Sequence, residues 1–393
     1  MNAALIGIHK KSLLKFLTAM TLFAPVASYG QGAMCTSIFS SDIQATQTID
    51  GTWRKSSSDL FMGFRSNAPH FWNWLYQNQD AAILGPRGVA TGDPHIQNFG
   101  DVPLKQGGRK YTLIDVDDSG ANASLAGDFL RYFVGNQISP FKVDAKDLFK
   151  AYVDGVNGKK MDKPQYLKEI ESNSDSDFQT HNNKKIGKLT DGDKFNDKAE
   201  LTPLSKTPQA IQDLLTQSAP VFKSHMQGMT YLDTGFKEKD TGGSQDLPRF
   251  WFLLADAQGN RHIYEFKMET APATSLFAGQ PDSLTRFKEV ADTYRPKEEV
   301  AGPFEFIVAG QYTFLLRERF FSYVDLDPAK ITSDSDMNNA KQMSLYIANK
   351  MGEAHGKQAA GKALANQLGK SDAFDQLDAL AKKYIALITK LNQ

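Results

Sequence analysis

The sequence predicts an α+β protein in two lobes, one helical and one built on an antiparallel sheet, and three observations carry that reading. "FWFLLADAQGNRHIYEFKMET" (250–270) and "FEFIVAGQYTFLLRERF" (304–320) each hold two strand-like runs around a glycine-bearing turn, the pattern of consecutive hairpins. "SLAGDFLRYF" spaces Leu125, Phe129, Leu130 and Phe133 like the inner face of a helix, and "LYIANKMGEAHGKQAAGKALANQL" and "FDQLDALAKKYIALITKLNQ" join helical spacing to Ala/Leu/Lys content. Finally, 393 residues are enough to bury a sizeable core, in two domains or one large two-lobed domain.

Taken in order, residues 1–30 have the layout of a secretory signal peptide. Lys10, Lys11 and Lys15 form a basic start, Phe16 to Val26 an apolar stretch too short for an ordinary membrane span, and Ser28 and Gly30 suit a cleavage site. A buried N-terminal helix is the structural alternative. Cys35 is the only cysteine, so no intrachain disulfide can form, and Met34 stands where a lipoprotein signal wants a small residue. The expectation is a bacterial protein exported to the periplasm or medium, without lipid and without a membrane anchor once the leader is cleaved.

Residues 31–155 are rich in aromatics and carry the motifs discussed below, while 156–245 turn polar, as in "GVNGKKMDKP" and "TDGDKFNDK", and read as an insertion or lid with a solvated face. Residues 246–330 hold the strands and 331–393 the closing helices. Lys plus Arg equals Asp plus Glu at 45 each, which leaves no global field to attract nucleic acid or an anionic membrane. Any partner must be recognised locally.

The local signal is "TGDPHIQNFG" (91–100), followed by the acid-rich "YTLIDVDD" (111–118). An aspartate, an asparagine five residues later and further acids on a following strand are the parts metal-assisted phosphoryl transfer requires. Asp93 would orient a hydroxyl and accept its proton; Asn98 and Asp115 would hold Mg2+ against the phosphates of ATP or another nucleotide. Asp117 and Asp118 compete with Asp115 for the ion, since a shift of one residue changes which carboxylate faces the cleft.

"GDPHIQN" resembles the Gly-Asp-x-His-x-x-Asn catalytic loop of the aminoglycoside-phosphotransferase branch of the protein-kinase-like superfamily, and "LIDVDDSGANASLAGDFLRYF" resembles that branch's metal-binding segment and following helix. The order "GDPHIQNFG", "IDVDDS", "FKMETA", "GEAHG" is similar to the bacterial domain-of-unknown-function 2252 family over most of the chain. The resemblance implies a two-lobed kinase-like fold, Asp93 as catalytic aspartate, Asn98 and Asp115 as metal ligands, and Asp128 as a buried acid bracing the loop. It departs at Arg65-Ser66, where the family has Arg-Gly, and in the wording of the acid-rich strand.

In ordinary kinases the strand lobe precedes the catalytic loop, but here 31–92 reads as helical and the strands come later. A circularly permuted order follows, with Lys267 and Glu269 supplied to the nucleotide by the covering sheet. Strand alternation puts Glu265, Lys267 and Glu269 on one face and Tyr264, Phe266 and Met268 on the other. The plain alternative for Lys267 is the solvent face of an edge strand. His95 either contacts metal or substrate or holds its loop by hydrogen bonds; Arg65 either grips a phosphate or pairs with an acid. His355 reads as a structural helix histidine, and Trp72 and Trp74 as core or cleft packing.

Two other functions compete. An exported kinase-like fold, placed where ATP is scarce, could be an inactive binding module. A metal-dependent phosphoesterase would also suit "GDPH", but the Gly-Asn-His and Gly-His-x-His elements of a two-metal site do not occur.

Overall fold

The structure is a computed structural model that describes residues 51–55, 57–172, 175–238, 247–295, 300–321, 326–327 and 331–393, with the side chains of 175–178 outside that set. The leader read over 1–30, and Cys35, lie outside the described residues. Helices α1 (Leu60–Arg65) and α2 (Ala68–Tyr76) open the chain. Strand β1 (Arg87–Ala90) pairs with β4 (Gly120–Ser124), and between them β2 (Phe99–Pro103) pairs with β3 (Arg109–Leu113). These two ribbons carry the loops of interest.

Helix α3 (Leu125–Ile138) starts at Ser124, whose Oγ accepts the Gly127 N–H, an N-cap of the expected kind. Its inner face is wider than the sequence suggests, because Leu125 through Asn136 are all buried. Helix α4 (Ala145–Val156) crosses the later α9 (Asp334–Gly356) at close range. A Cβ on Gly352 would lie 2.2 Å from the Tyr152 carbonyl, and one on Gly155 would lie 2.1 Å from that of Asn349. Glycines at the crossing thus bring His355, on α9, against Tyr152. Helices α10 (Gly361–Leu368) and α11 (Ala373–Leu391) close the lobe, packing Tyr384 and Ile388 into the core with Phe71 and Phe129.

The polar stretch 156–245 is not merely a lid. It forms α5 (Gln165–Ser172), α6 (Asp175–Lys188), the short hairpin β5 (Thr190–Asp191) and β6 (Lys194–Phe195), α7 (Gln209–His225) and β7 (Thr230–Phe236). Strand β7 belongs to a five-stranded antiparallel sheet with β8 (Arg249–Ala255), β9 (Arg261–Glu269), β10 (Phe304–Ala309) and β11 (Tyr312–Glu318), in the order β10-β11-β9-β8-β7. Few but well-placed apolar residues explain this: Leu214 and Phe222 of α7 are fully buried against the sheet. The expected hairpin turn at 258–260 is present, with Gly259 at φ +86°. Helix α8 (Ser283–Tyr294) lies between β9 and β10 in the chain and packs on β4 and β10.

The two faces of the sheet differ as alternation predicts. Tyr264, Phe266 and Met268 join Phe250, Phe314, Leu316 and Phe222 in a separate apolar core. The opposite face carries Glu265, Lys267 and Glu269. It is buried too, because its Leu315 and Phe306 belong to the core built by the helices. Strand β9 is central, so Lys267, 1% exposed, is not on the solvent face of an edge strand.

Candidate functional site

The Asp93 loop is held from three directions. Gly92 has φ +82°, and a Cβ there would lie 1.8 Å from the carbonyl oxygen of Asp118, so the position accepts only glycine and the loop rests directly on the acid-rich turn. Trp72 Nε1 donates to the Gly92 carbonyl at 2.6 Å. Asp128, in the first turn of α3, accepts from Thr91 N (2.9 Å), Thr91 Oγ1 (3.0 Å) and Gly92 N (2.9 Å). His355 Nε2 lies 3.3 Å from Asp128, and its ring meets the hydroxyls of Tyr152 and Tyr294, each at 2.8 Å. Asp128 therefore braces the loop, His355 anchors that brace, and Trp72 has a hydrogen-bonding role beyond packing; Trp74 packs against Tyr384 in the core with the rings tilted by 49°.

Asp93 is fixed by α3 as well. Arg131, one turn beyond Asp128, places Nε 2.7 Å and Nη2 2.6 Å from Asp93 Oδ1, while its guanidinium lies over the Phe64 ring at 4.2 Å. Asn98 Nδ2 donates to the Asp93 carbonyl at 2.8 Å. His95 Nε2 stands 3.6 Å from Asp93 Oδ2 and accepts from Arg65 Nε at 3.4 Å. Burial pushes the Asp93 carboxyl above the usual carboxylate range, opposed by the charges of Arg131 and Arg65 and reinforced by that of Asp115.

Strand β3 ends at Leu113, so Asp115, Asp117 and Asp118 lie in the turn that follows rather than on the strand. The five-stranded sheet and α8 clasp this turn. Lys267 forms an ion pair with Asp117 and lies 3.7 Å from Glu269 Oε1. Arg286 Nη1, on α8, donates to the carbonyls of Val116 (3.3 Å), Asp117 (3.1 Å) and Ser119 (2.8 Å). Arg317 of β11 is 2.6 Å from Glu265 and 3.5 Å from the Ile114 carbonyl. Asp118 Oδ1 accepts the Ala273 N–H at 2.9 Å. Asp115 Oδ1 stands 3.5 Å from the Asp117 N–H.

The electrostatics show an excess of carboxylate at this point. Asp118 is pushed up to about 7, first by burial and then by the charges of Asp93 and Asp115. Burial likewise raises Glu269, against the attraction of Lys267 and Arg286, with Asp115 adding to the rise. Glu265 behaves oppositely: despite its burial, Arg317, Arg319 and Arg249 hold it well below the ordinary range. One part of the face is thus neutralised by arginines, while at Asp118 and Glu269 burial and the nearby Asp115 charge favour the protonated form. Among the described residues no three His, Cys, Asp or Glu side chains converge as a preformed metal cage.

The structure brings together Asp93, His95, Asn98 and Arg65 on one side and Asp115, Asp117, Asp118, Lys267 and Glu269 on the other, joined through the Gly92–Asp118 contact. Beyond Arg65, sequence reading missed three arginines, Arg131, Arg286 and Arg317. Arg131 was recoverable, since it lies three residues after Asp128 on the same helix and must share its face; Arg286 and Arg317 carry no such signal. No helix among the described residues is long and apolar enough to cross a membrane. In comparisons with known proteins no family model matches this chain, and no curated protein or solved structure is found to be similar to it.

Proposed function

We propose that this chain is an exported, kinase-like phosphotransferase of permuted order, dependent on magnesium and a nucleotide such as ATP, acting on a hydroxyl of a small molecule or protein. The observation that carries the proposal is the ion pair between Lys267, on the buried face of β9, and Asp117, in the turn that also backs the Asp93 loop. That pairing supports a lysine from a covering sheet meeting the acids of a catalytic half, although the sheet follows Asp93 in the chain.

The donor set fits magnesium. This ion takes one or two carboxylates, keeps water and leans on substrate phosphates, so a closed protein cage is not needed. Asn98, Asp115 and Asp118 would hold it; burial raises the Asp118 carboxyl first, and the charges of Asp93 and Asp115, which a cation would relieve, raise it further. When bound, the ion would neutralise charge on the phosphates. Arg131 fixes the Asp93 carboxylate, and Asp93, less acidic than an ordinary aspartate, would orient the acceptor hydroxyl and take its proton. Lys267 would exchange Asp117 for a phosphate oxygen.

Thermal-shift titration of the full chain with magnesium and ATP should raise Tm in proportion to the logarithm of ligand concentration. Asn98→Ala and Asp115→Ala should weaken that shift. Asp93→Asn should keep binding while turnover falls by roughly a hundredfold or more. Absence of any shift at millimolar nucleotide would overturn the proposal. A second reading, the inactive binding module, is favoured by the internal pairing of both Asp93 and Lys267; binding with no turnover in the parent protein would select it. Export predicts a mature chain starting near Gln31 in the extracytoplasmic fraction, and recovery of intact Met1 from cytoplasm would contradict it.

A further inference from the structure

A second cavity, of about 350 Å3, opens between β3, the end of α8 and α9. None of Asp93, His95, Asp115, Asp117, Asp118, Lys267 or Glu269 lines it. Its volume falls at the lower end of the range typical of small-molecule sites, about 300–1,000 Å3. Among the described residues five cationic side chains line it, Lys110, Lys163, Arg295, Lys350 and Lys357, and one carboxylate, that of Glu353.

Neutralisation is incomplete. Lys163 pairs with Glu171, outside the cavity wall, and Lys350 Nζ lies 3.0 Å from Glu353 Oε2. Among the described residues neither Arg295 nor Lys357 has an acid at ion-pair distance. Arg295 is half-buried over the Phe304 ring at 3.6 Å, and its Nη1 is buried without a hydrogen-bond partner. Burial lowers its guanidinium to about 10. A half-buried arginine set among lysines, with no acid beside it among the described residues, gains from an anion that arrives from outside. The remaining walls mix the aromatic side chains of Phe99, Tyr111, Tyr294 and Tyr346 with aliphatic ones, which suits an apolar body.

We infer that this cavity binds a small phosphorylated molecule, its phosphate met by Arg295, Lys350 and Lys357 and its body held between the tyrosines. Phosphate is favoured over a single carboxylate because several cations converge on so small a volume, which suits a multiply charged tetrahedral group. The site is separate from the proposed phosphoryl-transfer site. It adjoins it through Tyr294, whose hydroxyl meets His355 and donates to the Val89 carbonyl at 2.7 Å.

The test titrates the full chain with pyrophosphate in EDTA, so that the magnesium site cannot contribute, with citrate at matched ionic strength in parallel. Pyrophosphate should raise Tm saturably and more than citrate does. Lys350→Ala and Lys357→Ala, both at solvent-accessible positions, should each weaken pyrophosphate affinity by about tenfold, the loss of one charge-assisted contact. Asp115→Ala should leave that affinity unchanged, whether or not the phosphotransferase reading holds. No saturable shift, an equal or larger response to citrate, or a shift that survives both lysine changes would overturn the inference.

Discussion

The two faces of strand β9 share one backbone and nearly complete burial, yet they are built from opposite chemistry. Tyr264, Phe266 and Met268 pack into an all-apolar core with Phe222 of α7, and the Phe222 and Phe266 rings are 4.0 Å apart. One residue along, Glu265, Lys267 and Glu269 are equally buried and meet mainly other charges, with the Trp251 indole also donating to Glu265. The apolar face lowers the free energy of folding by removing surface from water. The charged face works against folding, since a buried ion pair often contributes less than apolar residues of the same volume would. A sheet that needed only stability would have two apolar faces. That contrast supports the proposal that the charged face serves a ligand.

The largest effect that could break this comparison lies on the apolar face. Phe266→Ala should cost about 3–5 kcal/mol in denaturant unfolding, as truncation of a fully buried aromatic does. A loss below about 1 kcal/mol would mean that the apolar face is not what holds the sheet lobe together. The charged side should show itself through pH instead. Asp118 titrates near 7 in the folded protein, above its ordinary 3.8, so the folded state holds a proton that the unfolded chain releases between those values. The stability this provides is complete below about pH 4 and lost as pH rises through 7. Asp118→Asn keeps an oxygen to accept from Ala273 and should flatten that decline in Tm between pH 4 and 8. Equal slopes for variant and parent would remove Asp118 from the like-charge cluster.

How much of this was legible in the sequence depended on whether neighbours in space were neighbours in the chain. The β8–β9 hairpin, its turn at Gly259 and the alternation of β9 are local, and all could be read. The Asp93 loop and the brace from Asp128 came from motif resemblance, and the hydrogen bonds to Thr91 and Gly92 give the brace a physical cause. Strand β7 and helix α7 were hidden because Leu214, Phe222 and Phe236 are scattered among polar residues, so a short window sees only a solvated stretch. The clasp of Arg286 on the acid-rich turn could not be read at all, since some 170 positions separate the partners. The end of β3 at Leu113 was also missed: "YTLIDVDD" looks like one strand, but its acids need a turn to face the Asp93 loop.

The most direct test of the charged face is a magnesium-ATP thermal-shift titration of Lys267→Met beside the parent. Methionine keeps most of the lysine's length and apolar stem while removing the charge that pairs with Asp117, so the variant isolates the ligand role from packing. The predicted result is a variant that still unfolds cooperatively, at a lower Tm without ligand because Asp117 and Glu269 lose their cation, and whose nucleotide-dependent shift is lost. A shift equal to that of the parent would contradict the assignment of this face to nucleotide and leave Lys267 as an internal counter-ion.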